Sequence, residues 1–203
     1  LDNLIQVMVT KGYQVLDSDF EFIEKEDAEA YFTFLENARD RLHEQGFRLH
    51  VDLAPKSYAE QPGLLYEAHD YARIGAIADQ VLLMTYEWGY TFGPPLPVSP
   101  IPSVRRVLDY AVSEIPPEKI YLGISNYGYD WTLPYVQGES RAVSLSNVDA
   151  LRLASQTGSK INYSGEYEAP FFNYTDSDGK MHEVWFEDAR SIFAKLLICL
   201  LPC

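Results

Sequence analysis

The chain has 203 residues, enough for one domain with a substantial core, and its 47% hydrophobic and 23% charged residues are typical of a globular protein. Its formal net charge of −14 argues against a surface that binds nucleic-acid phosphates or anionic lipid headgroups. Both cysteines, Cys199 and Cys203, lie at the extreme C-terminal end, so no disulfide is expected in the body of the chain. No apolar run is long enough to cross a bilayer.

The first predicted elements are a helix and a strand. Apolar residues recur with helical spacing from Leu1 to Lys11, and Gly12 is placed to end that helix. A strand is then predicted over Val15–Phe22.

Three carboxylates alternate along this strand, at Asp17, Asp19 and Glu21. Because the side chains of a β-strand alternate between its faces, all three would point to one side, about 7 Å apart along the strand. Crowded carboxylates drive their pKa values apart, so at least one can hold a proton near neutral pH, as a general acid must. The alternative interpretation is a solvated edge strand with an acidic face.

Helices and strands then alternate as far as residue 125. The predicted helices are Asp27–Gln45, Tyr66–Ala78 and Val104–Ile115, and the predicted strands are Arg48–Ala54, Gln80–Trp88 and Lys119–Ser125. This alternation is typical of an α/β protein with parallel strands, and both a doubly wound sheet and a (β/α) barrel are compatible with it.

Polar residues at the ends of the predicted strands favour the barrel. Glu21, Asp52, Tyr86-Glu87 and Asn126-Tyr127 all follow or end a strand, where barrel enzymes assemble their active sites. No glycine-rich phosphate loop follows any predicted strand, which weakens a nucleotide-binding interpretation.

The C-terminal third has a different pattern. Short strands and one helix, Asn147–Thr157, alternate between Tyr129 and Trp185 and predict a small α+β insertion. A further helix is predicted over Glu187–Lys195. The apolar segment Leu196–Cys203 lacks helical periodicity; it fits either a buried final strand or, as we expect, a truncated or frame-shifted end.

Several stretches, taken in chain order, carry a family resemblance. Asp17-Ser18-Asp19-Phe20-Glu21 matches an Asp-x-Asp-x-Glu strand motif, and Met84-Thr85-Tyr86-Glu87 matches a Met-x-Tyr-Asp motif. Together they resemble glycoside hydrolase family 18, the chitinase-like (β/α)8 barrels. Similarity to the spore-cortex N-acetylglucosaminidase branch of that family is carried by Met84–Tyr90 with Gly93-Pro94-Pro95, by Asn126–Trp131 and by Val184–Arg190.

The resemblance implies a retaining, substrate-assisted mechanism in which the 2-acetamido oxygen of the sugar attacks the anomeric carbon. Glu21 would protonate the glycosidic oxygen and later activate water, while Asp19 would orient the acetamido group. Asp17 would share a proton with Asp19, and the Tyr86 hydroxyl would donate to the acetamido oxygen. Sugar subsites are expected at Glu87, Trp88, Tyr90, Asn126 and Tyr127.

The resemblance also implies a domain organisation. With the acidic strand counted as the fourth strand of the family barrel, the predicted strands are strands four to seven of an incomplete TIM barrel. They form a partial catalytic domain over residues 1–195, with an insertion at about 129–185. Strands one to three and the eighth strand, which carries the tryptophan floor of the sugar site, are not found. In the family, an Asp and a Gly precede the three acids of the motif. Gln14 and Val15 stand in their places here, and because Gln14 cannot share a proton as an acid, the influence on the charge of Asp17 is expected to differ.

The first functional hypothesis is a glycosidase that hydrolyses β-1,4 bonds of N-acetylglucosamine-containing polymer, either spore-cortex peptidoglycan or chitin. The high aromatic content, with 15 Tyr, suits clefts that bind sugar rings. No cofactor and no metal is expected, a cation site on Asp17, Asp19 and Glu21 being the lesser alternative. The expected partner is N-acetylated polysaccharide at the spore or cell wall, with no nucleic acid and no membrane insertion; no oligomeric state is indicated.

The second hypothesis is a non-catalytic, carbohydrate-binding barrel relative or an inactive fragment. Non-catalytic relatives typically lack the acid of the strand motif, so the presence of Glu21 favours the enzyme.

Overall fold

The computed structural model describes residues 1–200, which contain six helices and nine strands. The helices are α1 (Asp2–Lys11), α2 (Ala28–His43), α3 (Tyr71–Ile77), α4 (Ile101–Glu114), α5 (Asn147–Thr157) and α6 (Ala189–Leu200). The strands are β1 (Val15–Ser18), β2 (Arg48–Leu53), β3 (Gln80–Leu83), β4 (Ile120–Leu122), β5 (Tyr127–Thr132), β6 (Val143–Ser146), β7 (Asn162–Ser164), β8 (Ala169–Thr175) and β9 (Met181–Trp185).

These elements form two compact units. The first comprises Leu1–Met84 and Arg106–Gly123, and the second comprises Thr85–Arg105 and the described residues from Ile124 onward. No helix among residues 1–200 combines the length and the apolar composition needed to cross a membrane.

A parallel sheet with the order β1-β2-β3-β4 organises the first unit. Neighbours in this sheet are also neighbours along the chain, which is the order of a (β/α) barrel; a doubly wound sheet reverses direction at a switch point. The doubly wound alternative is therefore excluded for these four strands. The sheet is open at both ends, so the described residues form a mixed α/β structure without a closed barrel.

The faces of this sheet follow from strand alternation. Leu49, Val51 and Leu53 of β2 are fully buried, whereas His50 and Asp52, between them, are only partly buried and share the other face. Helix α2 contributes its predicted apolar stripe to the same core, and Tyr31, Phe32, Leu35, Ala38 and Leu42 are all buried.

The structure corrects the lengths of three predicted strands. The acidic strand, predicted to reach Phe22, ends at Ser18, whose partner is Val51 on β2. Strand β3 ends at Leu83 instead of Trp88, and β4 ends at Leu122 instead of Ser125. The sequence pattern of a strand continues beyond these points, but the paired register does not, because a strand persists only where a neighbour supplies hydrogen bonds.

Two predicted helices also have different bounds. Tyr66–Ala78 is helical only over Tyr71–Ile77, because the side chain of Asp70 caps the helix by accepting a hydrogen bond from the Arg73 N–H at 3.0 Å. Helix α4 begins at Ile101, ahead of the predicted start at Val104. The predicted helix over Leu1–Lys11 is confirmed, with Gly12 in the left-handed conformation at its end.

An antiparallel sheet with the order β6-β5-β9-β8-β7 organises the second unit. Helix α5 has the predicted bounds, with Ser146 as its N-cap and Gly158 in the left-handed conformation at its C-cap. Ala150 and Ala154 of α5 pack with Phe172, Val184 and Phe186. The antiparallel region predicted to begin at Tyr129 begins at Tyr127.

Helix α6 extends farther than its predicted end at Lys195. It continues to Leu200, so the predicted tail is helical as far as it is described, and the alternative of a final strand is wrong for Leu196–Leu200. Ile198 is buried while Leu196, Leu197 and Leu200 are exposed. The remainder of that segment, residues 201–203, lies outside the described residues.

Candidate active site

The predicted site residues fall into two groups. Asp17, Asp19 and Glu21 lie in the first unit, at and after the carboxyl end of β1. Tyr86, Glu87, Trp88, Tyr90, Asn126 and Tyr127 all lie in the second unit.

The three acids are not presented by one continuous strand, contrary to the sequence prediction. Only Asp17 belongs to β1; Asp19 and Glu21 lie in the segment that follows. In that segment the Phe20 carbonyl accepts a hydrogen bond from His69 Nε2 at 3.0 Å in place of a strand neighbour, and Phe22 adopts the left-handed conformation with φ of 57°. Strand alternation therefore does not set the direction of the Glu21 side chain.

A fourth carboxyl group joins them. Asp17 is in register with His50 on β2, and Asp52 is two residues farther along β2 on the same face. Burial and the negative charges of Asp17, Asp19 and Glu21 raise the pKa of Asp52 to about 7. We call Asp17, Asp19, Glu21 and Asp52 the acidic cluster.

Asp52 was noted in the sequence as a polar strand end but was not assigned to the site. Its Oδ1 atom is buried and has no hydrogen-bond partner among the described residues. An unpaired oxygen and a raised pKa both favour the neutral form of Asp52, which keeps its proton to a much higher pH than an ordinary Asp. The signal in the sequence was an Asp at the carboxyl end of a predicted parallel strand.

Glu21 has the electrostatics of a general acid. Partial burial, followed by the negative charge of Asp19, raises the pKa of the Glu21 carboxyl. The raised pKa extends the pH range over which Glu21 keeps a proton to donate. Among residues 1–200, no three His, Cys, Asp or Glu side chains are arranged to hold a metal ion.

In the second unit, the structure brings Glu87 together with two tyrosines. The hydroxyls of Tyr127 and Tyr129 donate hydrogen bonds to Glu87 Oε1, at 2.5 and 3.0 Å. Burial, together with the Glu87 carboxylate, raises the pKa of both tyrosines, so they remain donors. We call these three residues the Glu87 group; Tyr129 was not among the predicted site residues.

The backbone at Glu87 is also unusual. Its φ is 66°, a left-handed conformation that is uncommon for a residue with a side chain and clusters at functional sites. The following turn is tightly built, since a Cβ on Gly89 would lie 1.9 Å from the Leu96 carbonyl oxygen. The Glu87 carboxylate is therefore held in a defined place while remaining exposed to solvent.

The other predicted subsite residues have varied environments. Tyr86 is half-buried and packs against a core that includes Tyr129, Trp131 and Trp185. The Trp88 side chain is half-buried, and the backbone N–H of Trp88 donates to the Val98 carbonyl at 3.1 Å. Tyr90 and Asn126 are exposed, and the Tyr90 ring contacts Phe92 edge-on, with centroids 6.1 Å apart.

Comparison with known proteins places the chain in a family. The family model "Glycosyl hydrolases family 18" matches residues 1–199. The cortical fragment-lytic enzyme of Bacillus subtilis is 49% identical over 195 residues, which cover 96% of this chain and 45% of that protein. The chain thus spans a little under half the length of this relative.

Solved structures agree. The spore cortex-lytic enzyme SleL of Bacillus cereus matches with a TM-score of 0.91 and 46% identity, over 96% of this chain and 45% of that one. A chitinase from Chromobacterium violaceum matches with a TM-score of 0.86 and 30% identity, over 94% of this chain and 59% of that one. The chain belongs to family 18 of the glycosyl hydrolases, on the branch that includes the Bacillus spore cortex-lytic enzymes.

Proposed function

We propose that the chain carries the acid machinery of a glycosidase that hydrolyses β-1,4 bonds of N-acetylglucosamine-containing polymer, with spore-cortex peptidoglycan as its substrate. The observation that carries the proposal is Glu21, whose raised pKa and position after a parallel strand suit a general acid. The choice of peptidoglycan over chitin is supported by the similarity to cortex-lytic enzymes, and it makes the spore cortex the site of action.

The proposed mechanism is retaining and substrate-assisted. Glu21 protonates the glycosidic oxygen while the acetamido oxygen of the substrate attacks the anomeric carbon, and Glu21 then takes a proton from the incoming water. Asp19 orients the acetamido N–H and stabilises the cyclic cation, and Asp17 supports Asp19 from β1. The raised pKa of Asp52 supports a proton that is shared within the acidic cluster during these steps.

Residues that follow β3 and β4 are proposed to contact the substrate as well. Tyr86 donates its hydroxyl to the acetamido oxygen, and the carboxylate of the Glu87 group accepts hydrogen bonds from sugar hydroxyls. Trp88, Tyr90, Asn126 and Tyr127 line sugar subsites, where aromatic faces pack on pyranose rings. We further propose that β1–β4 correspond to strands four to seven of a (β/α)8 barrel, as their chain-order parallel pairing supports.

The test compares Glu21→Gln with the unmodified protein on cortical peptidoglycan and on chitin oligomers. Gln keeps the shape of Glu but has no acidic proton, so we expect the hydrolysis rate to fall by about 10²- to 10⁴-fold with glycan binding retained. Release of reducing ends measures the rate, and pull-down with insoluble glycan measures binding.

Glu44→Gln is the matched control, since Glu44 is an exposed residue at the end of α2 and loses the same charge. Undiminished hydrolysis by Glu21→Gln would contradict the role of Glu21. Glycan binding without hydrolysis by the unmodified protein would instead favour the non-catalytic relative.

A further inference from the structure

His69 is a buried residue outside the predicted site, and both of its ring nitrogens bond to backbone groups. Its exposed fraction is 1%. Nδ1 lies 2.8 Å from the Ala54 nitrogen, just after β2, and Nε2 lies 3.0 Å from the Phe20 carbonyl oxygen, between Asp19 and Glu21. His69 thus joins the end of β2 to the segment that carries the proposed acid.

The two partners determine the state of the ring. A backbone N–H can only donate and a carbonyl can only accept, so Nδ1 must have a lone pair and Nε2 must have the hydrogen. Protonation would place an N–H at Nδ1 against the Ala54 N–H and break that bond. Burial lowers the pKa of His69 and Lys56 lowers it further, although the Phe20 carbonyl and Asp19 act the other way, so the neutral ring is maintained.

Phe20 is held at two places. Its carbonyl accepts from His69, and its ring packs against Tyr31 and Phe34 with centroid distances of 5.8 and 5.6 Å. The His69 ring itself stacks on Tyr31 at 6.4 Å. Because Glu21 is the next residue along the chain, fixing the Phe20 carbonyl fixes where the Glu21 backbone begins.

The residues next to His69 and to its partner Ala54 form further buried hydrogen bonds. The Tyr71 hydroxyl donates to the Ala54 carbonyl at 2.6 Å and accepts from the Lys56 N–H at 3.0 Å. Lys56 Nζ, which is buried, donates to the His69 carbonyl at 3.0 Å. The backbone at Ala54, Lys56 and His69 is therefore tied together by buried hydrogen bonds, which suits the accurate placement of a reacting group.

We propose that His69 is a positioning residue for the general acid, holding the Asp19–Glu21 segment against the end of β2 through the Phe20 carbonyl. This inference rests on the proposed function, because it assumes that Glu21 is the acid. The positioning role requires the neutral ring with its hydrogen on Nε2. The hydrogen bond to the Phe20 carbonyl, and not a charge on the ring, therefore holds the segment in place.

Two substitutions separate the two bonds of the ring. The amide of His69→Gln reaches the place of Nε2 and can donate to the Phe20 carbonyl, whereas the amide of His69→Asn reaches only the place of Nδ1 and can accept from Ala54. We expect His69→Asn to lower kcat by about 10²-fold with little change in KM, and His69→Gln to stay within an order of magnitude of the unmodified protein.

The pH readout excludes a merely structural role. In His69→Asn the released segment is better hydrated, so the pKa of Glu21 falls toward its ordinary value, and the basic limb of the kcat profile moves to lower pH. NMR titration of the Glu21 carboxyl measures the same pKa without any turnover. In His69→Gln both readouts are expected to remain close to those of the unmodified protein.

Equal losses of kcat and of thermal stability in both variants, with an unmoved pKa of Glu21, would overturn the inference and leave His69 as a core residue. An unchanged kcat and pKa in a folded His69→Asn protein would overturn it as well. If the unmodified protein hydrolyses neither glycan, the proposed function fails, and the titration of Glu21 in the three proteins still tests the positioning role.

Discussion

At the scale of residues, the acidic cluster shows how burial and repulsion act in the same direction. Asp52 is partly buried on β2 and faces the negative charges of Asp17, Asp19 and Glu21, so removing its proton is doubly unfavourable. Glu21 is more exposed and feels mainly Asp19 besides its partial burial. Asp52 and Glu21 therefore hold their protons more tightly than isolated carboxyl groups do.

The raised pKa of Asp52 predicts that the free energy of unfolding depends on pH, and that Asp52→Asn removes this part of the pH dependence. The pKa of Asp52 is about 7 in the folded protein against 3.8 ordinarily, so the folded state binds the extra proton between these values. The contribution of Asp52 to stability is complete below pH 4 and is lost as the pH rises through 7, at about 1.4 kcal/mol for each pH unit between the two pKa values. We expect Asp52→Asn to gain stability relative to the unmodified protein between pH 4 and pH 8.

Urea unfolding at pH 4.5, 6 and 8 measures this effect. Asp109→Asn, at an exposed position on α4, is the control and should follow the pH dependence of the unmodified protein. Parallel curves for Asp52→Asn and the unmodified protein would refute the assigned pKa.

At the scale of elements, the antiparallel sheet explains why residue 128 is a glycine. This residue belongs to Asn126–Trp131, one of the stretches that carry the family resemblance. Gly128 lies in β5, where an added Cβ would be 2.2 Å from the Trp185 carbonyl oxygen and 2.7 Å from the Cα of Phe186. Both contacts are with backbone, which cannot move aside as a flexible side chain could. The glycine permits β5 and the end of β9 to approach closely.

Gly128→Ala is accordingly expected to destabilise the protein by about 1–3 kcal/mol or more, the usual cost of overpacking. Gly165→Ala is the matched control, because an added Cβ there has no atom within 4 Å, and its effect should stay within about 0.5 kcal/mol. The midpoint of urea unfolding compares the two variants; similar losses for both would show that contacts at Gly128 do not matter.

At the scale of the whole molecule, each compact unit has its own buried polar network. In the first, the His69 ring accepts a hydrogen bond from the Ala54 N–H just after β2, and Lys56 Nζ donates to the His69 carbonyl. In the second, Lys195 Nζ lies 3.0 and 2.8 Å from the two carboxylate oxygens of Glu187, and Ser125 Oγ donates to the same carboxylate at 3.3 Å. Both members of this ion pair are at most 1% exposed, and burial raises the pKa of Glu187 in spite of Lys195.

Removing one partner of this pair should be costly. Lys195→Met keeps most of the side-chain volume but leaves the Glu187 carboxylate buried without its cation, for which about 3–5 kcal/mol of lost stability is typical. The double variant with Glu187→Gln removes the uncompensated charge and should recover much of that loss. Unfolding free energies from a double-mutant cycle measure both effects, and additivity of the two single losses would mean that the pair is not coupled.

How much of the site was predictable depends on the range of the interactions that form it. The presence of α2, the bounds of α5 between Ser146 and Gly158, and Gly12 at the end of α1 were all predicted correctly. Each depends on contacts within a few residues, which a local pattern encodes. The family was likewise identified from short motifs, and the acids of the candidate site were predicted from one of them.

The long-range arrangement was not predictable in this way. The end of β1 at Ser18 and the addition of Asp52 to the acidic cluster depend on strand register, and the addition of Tyr129 to the Glu87 group depends on a hydrogen bond between residues 42 positions apart. His69 and Phe20 are 49 residues apart, and nothing near either residue indicates the other.

By itself, the sequence of this protein determined where its helices lie to within a few residues at most ends, the alternation of helices with parallel strands, its family and the identity of its proposed acid, Glu21. Only the tertiary structure decided how far each strand runs, that Asp52 lies with Asp17, Asp19 and Glu21, and that His69 bonds to the segment of the proposed acid. The physical reason is that backbone pairing and burial join distant segments, and these joint environments set both the pKa of a carboxyl group and the position of its backbone.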